Sequence, residues 1–284
     1  MQLRGSLWFV TAAALWTSAG SCDAAEALQI LGGDVRLDGA AAARRIVVQR
    51  LVDGKAHGQA TGALELQIAD PAVAKLEAGV LRPVGDGATT LTARLGALQT
   101  SVRVTATNAA QPTAWSFRNH VQSVMVKGGC SSGACHGALA GKNGFRLSLR
   151  GYDAEGDFLV LTHQARGRRV DPADPGRSLI LTKPTAALPH GGGKRFEVDS
   201  LEYRVLADWI ADGCPAPTAG DPRIESLEIL PPVSIQQPGA TQQLLVLARF
   251  SDGRVEDVTG WAKYTASNAE AAVVDDAEIG RAHV

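Results

Sequence analysis

The 284-residue chain is poor in aromatic residues (5%), holds only four cysteines and two methionines, and carries almost no net charge. Each scarcity excludes something. Lys and Arg number 28 against 29 Asp and Glu, so the electrostatic footprint of a nucleic-acid binder or membrane-surface helix is missing. The apolar run Leu7 to Trp16 is too short to span a bilayer as a mature helix. No phosphate loop and no paired-carboxylate motif occurs, so no enzyme activity is expected of this chain. With few aromatics and 31 glycines, small strand-rich modules joined by turns suit the composition better than a large enzyme core.

Residues 1–25 read as an export signal. Arg4 supplies the positive start, Leu7 to Trp16 the apolar stretch, and small residues follow, with cleavage after Ser21 or around Ala24-Ala25. The expected location is therefore the periplasm or the cell surface. Cys22 after Ala19-Gly20-Ser21 approximates a lipoprotein box, with Ala19 where Leu is usual. A lipid anchor there would be the only membrane attachment expected.

From Leu28 to Thr107 the pattern is one of short strands. Leu64, Leu66 and Ile68 alternate with polar residues, as do Leu91, Ala93 and Leu95, and then Val102 and Val104. Turn signals lie between them at Asp53-Gly54, Asp70-Pro71 and Gly85-Asp86-Gly87. Period-two alternation with such punctuation predicts an antiparallel sandwich over 28–107. The stretch Ile68 to Ala74, with Gly79-Val80 and Pro83 to Gly87, resembles the bacterial group-2 immunoglobulin-like domain.

A polar linker at Asn108 to Thr113 precedes a different pattern over 114–217. Phe117, Val121, Val124 and Met125 recur at helical spacing, and Gly128-Gly129 should stop that helix. At the other end Asp199, with Glu202 three residues on, predicts a capped helix with Leu201, Val205, Leu206, Trp209 and Ile210 as its apolar stripe. Helix, glycine and cysteine loop, closed by a last helix, is the order of a small, mainly α, cytochrome c-like domain.

Between those helices stands Cys130-Ser-Ser-Gly-Ala-Cys135-His136-Gly137. Two cysteines followed at once by a histidine can hang a haem covalently: each thiol adds to one vinyl group, and the histidine is carried under the iron. The spacing has four residues where two are common. Cys130 and Cys135 are thus the candidate attachment residues for haem c, and His136 the candidate fifth iron ligand. Neither Met1 nor Met125 lies in the loop before the last helix, where a sixth ligand is usual. His190, in Leu188-Pro-His-Gly-Gly-Gly-Lys194, does lie there and is the candidate sixth ligand, with His120 and His163 as rivals. Bis-histidine ligation lowers the potential relative to His/Met. Arg146, Arg150, Arg166, Arg168, Arg169, Arg177, Lys183, Lys194 and Arg195 are candidates to pair haem propionates. Tyr152 or Trp209 could pack on the porphyrin, or either could be plain core.

From Pro222 the strand pattern returns. Ser251-Asp-Gly-Arg254 echoes Val52-Asp-Gly-Lys55, and Thr259-Gly-Trp-Ala262 echoes Thr61-Gly-Ala63, so 222–284 reads as a partial second immunoglobulin-like module. A duplicated module flanking an insert suggests beads on a string. Nothing after Asp276 supplies the closing strands that the first copy has. Ile279 to Val284 is also what a common sequencing adapter encodes, so the natural protein is expected to continue.

Gly129 to Gly137, Gly141 to Leu149, Gly151-Tyr-Asp153, Arg168-Arg169, Asp174-Pro175, Ser178-Leu179, Lys183-Pro184 and His190 to Phe196 together resemble the large exported cytochrome-like proteins of planctomycete-type bacteria. The resemblance implies haem binding and electron transfer to an unidentified redox partner, with Cys130 and Cys135 attaching haem and His136 ligating iron. The competing reading is a cell-surface adhesion or carbohydrate-binding protein, its immunoglobulin-like modules contacting a surface polymer. Cys130, Cys135 and His136, with Cys214 or His190, would then form a structural zinc site, or the first two a disulfide.

Overall fold

The structure, a computed structural model, describes residues 25–234, 236–275 and 279–282. The export signal and Cys22 lie outside the described residues, as does His283.

Ten strands build the first unit: β1 (Glu26–Ile30), β2 (Val35–Asp38), β3 (Arg44–Arg45), β4 (Val48–Val52), β5 (Lys55–Gln59), β6 (Glu65–Ile68), β7 (Ala74–Glu77), β8 (Val80–Pro83), β9 (Gly87–Leu95) and β10 (Leu98–Thr107). They form three sheets, β1-β4-β5, β2-β10-β9-β6 and β3-β8-β7. All pairings are antiparallel except β2 with β10. The alternation read from the sequence is what packs them. Leu91, Ala93 and Val104 are fully buried, and Leu64, Leu66 and Ile68 pack at the margin of the same core as Leu28, Ile30 and Val48. Asp53 and Gly54 both take positive φ (50° and 73°), the two-residue hairpin geometry that this dipeptide favours between β4 and β5.

The middle segment carries α1 (Gln122–Lys127), α2 (Ala154–Thr162), α3 (Leu179–Thr182) and α4 (Leu201–Ala211). A π-turn at Phe117–Val121 leads into α1, and Ser116 caps it by accepting from the Asn119 amide. The expected stripe residues Phe117, Val121, Val124 and Met125 are buried, as are Val205, Leu206, Trp209 and Ile210. Trp209 is the hub, with ring centroids 5.5 Å from Phe117 and 6.4 Å from Phe158. The cap of α4 falls one residue later than expected: Ser200, not Asp199, accepts from the Tyr203 amide, and Glu202 pairs instead with Lys127 at 3.6 Å.

A mainly α, cytochrome c-like domain is nevertheless not what the chain forms. Strand accounts for 31% and helix for 19%, the α-helices run to only 6, 9, 4 and 11 residues, and the sheets make the chain mainly β. The physical cause is local. Seven glycines lie between Gly128 and Gly151, and Asn143, Arg150, Ala165, Arg166 and Ala186 all sit at positive φ. Left-handed residues end a right-handed helix wherever they occur, so a short stripe never propagates into a bundle.

The second β unit contains β11 (Ile224–Leu230), β12 (Thr241–Gln243), β13 (Leu245–Phe250), β14 (Val255–Asp257), β15 (Ala272–Val274) and β16 (Ile279–Ala282). Its sheets, β11-β13-β14 and β12-β16-β15, repeat the orders β1-β4-β5 and β3-β8-β7. Leu227-Glu-Ile-Leu230 on β11 matches Leu28-Gln-Ile-Leu31, which runs one residue past the end of β1. The duplication is therefore visible in topology, with β16 taking the place of β8. No counterpart of the β2-β10-β9-β6 sheet is among the described residues.

The units are not beads on a string. Leu31 and Val47 of the first unit share a buried cluster with Leu230, Leu245 and Leu247 of the second. Around it the Arg45 amide donates to Asp257 Oδ2 at 2.6 Å and the Gln243 amide to Gln59 Oε1 at 2.8 Å. The middle segment joins the same body: Lys127 Nζ donates to the Gly260 carbonyl, and Trp115 meets Trp261.

Candidate functional site

The helix cap sets the first cysteine. The Gly129 amide donates to Val126 O and the Cys130 amide to Met125 O, with Gly129 at φ 74°, which is a Schellman ending with Cys130 at its second outer position. The loop then folds back on itself. The His136 amide donates to Cys130 O at 2.9 Å and the Gly137 amide to Ser132 O at 3.0 Å, so His136 returns beneath the first cysteine. Gly137 is obligatory here, because an added Cβ would lie 2.1 Å from the Ser131 carbonyl oxygen. Gly137→Ala should destabilise the protein by about 1–3 kcal/mol, since the obstacle is backbone that cannot swing aside. Urea denaturation of the variant, with Gly191→Ala (open space around its Cβ) as control, checks this.

Cys130 and Cys135 are free thiols in the structure, each half-buried. Burial pushes the Cys130 thiol up to about 11, against the opposing charge of Arg195.

The His136 ring is held on two sides. Its Nδ1 donates to the Phe145 carbonyl at 3.0 Å, and its face packs 4.5 Å from the Phe145 ring. Phe145 is backed in turn by the Arg169 guanidinium, 4.4 Å from the ring centroid. Burial moves His136 below its ordinary value, and His190 and Arg169 add to that effect against the Phe145 hydrogen bond. Neutral, with the proton on Nδ1, the ring keeps the Nε2 lone pair available.

His190 lies on the loop after α3. Its Nδ1 donates to the Gly193 carbonyl at 2.8 Å, while Lys183 Nζ holds the Pro189 carbonyl at 3.1 Å. The two candidate ligands meet although 54 positions separate them in the chain: their ring centroids are 6.5 Å apart and their planes 10° from parallel. Each has its Nδ1 occupied by a backbone carbonyl, the outer-shell arrangement that fixes a ligating imidazole.

Of the other candidates, His120, His163, Cys214 and Trp209 are not brought to this place. His120 packs half-buried between Trp115 and Trp261, accepts from the Ser116 amide on Nδ1, and is pushed down to about 4 by desolvation. His163 is exposed and bonded to Thr162. Cys214 repeats the role of Cys130 at the end of α4, its amide donating to Trp209 O, but its side chain is buried in the aromatic core. Arg169 is no propionate partner: it is buried and donates to the Val160, Gln164 and Gly144 carbonyls. Trp209 is core, whereas Tyr152 is 78% exposed.

Phe145 was not singled out from the sequence, and nothing in its spacing marks it. The same run also spells Gly-x-Ser-x-Gly from Gly129 to Gly133, a pattern absent from the reading above. A hydrolase elbow follows a strand and exposes its serine. Ser131 follows a helix and is 2% exposed, so the match carries no such chemistry.

No family model matches the chain, and no curated protein matches it. Among solved structures, domains 4 and 5 of the S-layer protein SbsC are similar over 28% of this chain and 50% of that one, at 16% identity and a TM-score of 0.24. The chain thus spans half the length of that structure, and a likeness so slight carries no argument about fold or function. Among the described residues no helix is long and apolar enough to cross a membrane. Nor, among them, is any group of three or more His, Cys, Asp or Glu placed to hold a metal ion.

Proposed function

We propose that this is an exported electron-transfer protein that binds haem covalently through Cys130 and Cys135, with His136 and His190 as axial ligands. The observation that carries the reading is the imidazole pair. The ring centroids lie 6.5 Å apart with the planes 10° from parallel, so the two imidazoles are near enough to serve one bound group. Both rings are in the tautomer that leaves Nε2 to the metal. Among the described residues the pair has no third His, Cys, Asp or Glu grouped with it, which would suit a group that brings further nitrogens of its own.

The surroundings suit the same group. Leu139, Leu149 and Leu188, close in sequence to the cysteine and His190 loops, stand 86%, 50% and 41% exposed, so apolar side chains are open to a hydrophobic ligand there. Bound there, haem would supply a one-electron iron couple. Cys130 and Cys135 would hold that group through their thiols, and His136 and His190 through their Nε2 atoms.

The test is expression with the signal in a host that matures cytochromes c, followed by denaturation and an acid-acetone wash. A haem spectrum surviving the wash is expected. In the folded protein, His190→Ala should convert a low-spin spectrum to a high-spin one. A colourless protein overturns the proposal.

A further inference from the structure

Arg195 stands where the two halves of the site meet. Its Nη2 lies 3.8 Å from Cys135 Sγ, on the cysteine loop. The same nitrogen lies beside Gly192 of the His190 loop, where an added Cβ would be 3.2 Å away. Between these ends the side chain runs along the α1 cap: its Cβ would be 3.9 Å from a Cβ on Gly128, and its Nη1 3.6 Å from one on Gly129. Its backbone amide, meanwhile, donates to the Pro184 carbonyl at 2.7 Å, tying the loop's far end to α3. Along this path Gly128, Gly129 and Gly192 present no side chains, and Arg195, itself exposed, reaches across them to Cys135.

We propose that Arg195 is a positioning residue, a clasp holding the His190 loop over the cysteine loop so that the two imidazoles face one another before any cofactor arrives. As far as it concerns iron ligation, the inference rests on the haem reading. The physical need is clear from composition. A loop with three successive glycines at 191–193 gains much conformational entropy when released, and its own hydrogen bonds are short-range. A long, planar, permanently charged side chain with several donors can bridge both loops at once.

Arg195→Gln and Arg195→Lys separate the outcomes. In the protein without haem, hydrogen exchange at the Gly193 and Arg195-position amides should quicken about tenfold in Arg195→Gln, as expected for loss of a charge-assisted contact, while α4 amides keep their rates. Arg195→Lys, which retains the charge and most of the reach, should restore slow exchange at least in part. In the matured protein Arg195→Gln should shift the spectrum toward high spin, and Arg195→Lys should stay low spin. Unchanged exchange in Arg195→Gln overturns the clasp, as does an equal quickening throughout α4, which would mean general destabilisation. If no variant, nor the parent, takes up haem, the haem reading fails while the exchange result still decides the clasp.

Discussion

Replacing Cys130 and Cys135 together by serine is expected to remove all wash-resistant haem from the protein. Serine preserves the size of each side chain but its hydroxyl does not add to a vinyl group under the conditions in which a thiol does. The two positions are not equivalent, so the single variants are informative. Cys130 is held by the Schellman cap at the end of α1, and Cys135 adjoins the iron-ligand candidate and Arg195. Each single variant should retain one thioether, seen as a reduced-haem band displaced to longer wavelength because one vinyl group stays conjugated. The fold should survive, since Cys130 packs only at the margin of the aromatic core and serine keeps its size. A double variant that keeps its colour through the wash sinks the covalent reading.

Trp209→Ala should cost about 3–5 kcal/mol of stability, the range for removing a large aromatic side chain from a packed interior. Trp209 is fully buried, touches Phe117 and Phe158, and donates from Nε1 to the Pro215 carbonyl at 3.0 Å. Truncation therefore opens a cavity at the junction of α1, α2 and α4 and leaves a carbonyl without its donor. Because the segment contains only short helices, no neighbouring element can slide in to fill the space. Tyr152→Ala, at an exposed aromatic, should change stability by less than about 0.5 kcal/mol and serves as the control. Guanidinium denaturation followed by far-ultraviolet circular dichroism measures both. A loss below about 1 kcal/mol for Trp209→Ala would show that this core does not hold the segment together.

The two variants probe different links. The cysteines concern chemistry that the chain presents at its surface, and Trp209 concerns the packing that presents it. His136 is placed by loop hydrogen bonds to Cys130 and Phe145, whereas Phe145 is fixed by Arg169, whose guanidinium is anchored to carbonyls around α2. Damage to the core should therefore reach the imidazole pair through Arg169 and Phe145.

The sequence by itself determined what depends on neighbours a few residues apart. Period-two alternation named β6, β9 and β10 of the first unit's ten strands, because a pleated strand turns every second side chain to the same face. The glycine pair after Lys127 ended α1, and the Asp-Gly dipeptide made the β4–β5 hairpin, since each demands a positive φ that few residues tolerate. Cys130, Cys135 and His136 were legible for the same reason: their chemistry lies in one short run. Ser200 displaced Asp199 at the α4 cap because both can accept an amide, and only the turn geometry selects between them.

Tertiary structure alone decided the rest. Helical spacing at both ends of 114–217 suggested a mainly α domain, yet spacing says nothing of how far a helix continues, and the left-handed residues between kept each one short. The repeat was readable as an echo, but not the cluster of Leu31, Val47, Leu230, Leu245 and Leu247, which joins faces from two distant segments into one body. His190 could be suspected from the lack of a methionine, but not its meeting with His136. That pairing depends on α3, on the Pro184 carbonyl and on Arg195, which reaches Cys135 across 60 positions of chain that no periodicity encodes. Long-range closure is written in complementary surfaces, and surfaces exist only once the chain has folded.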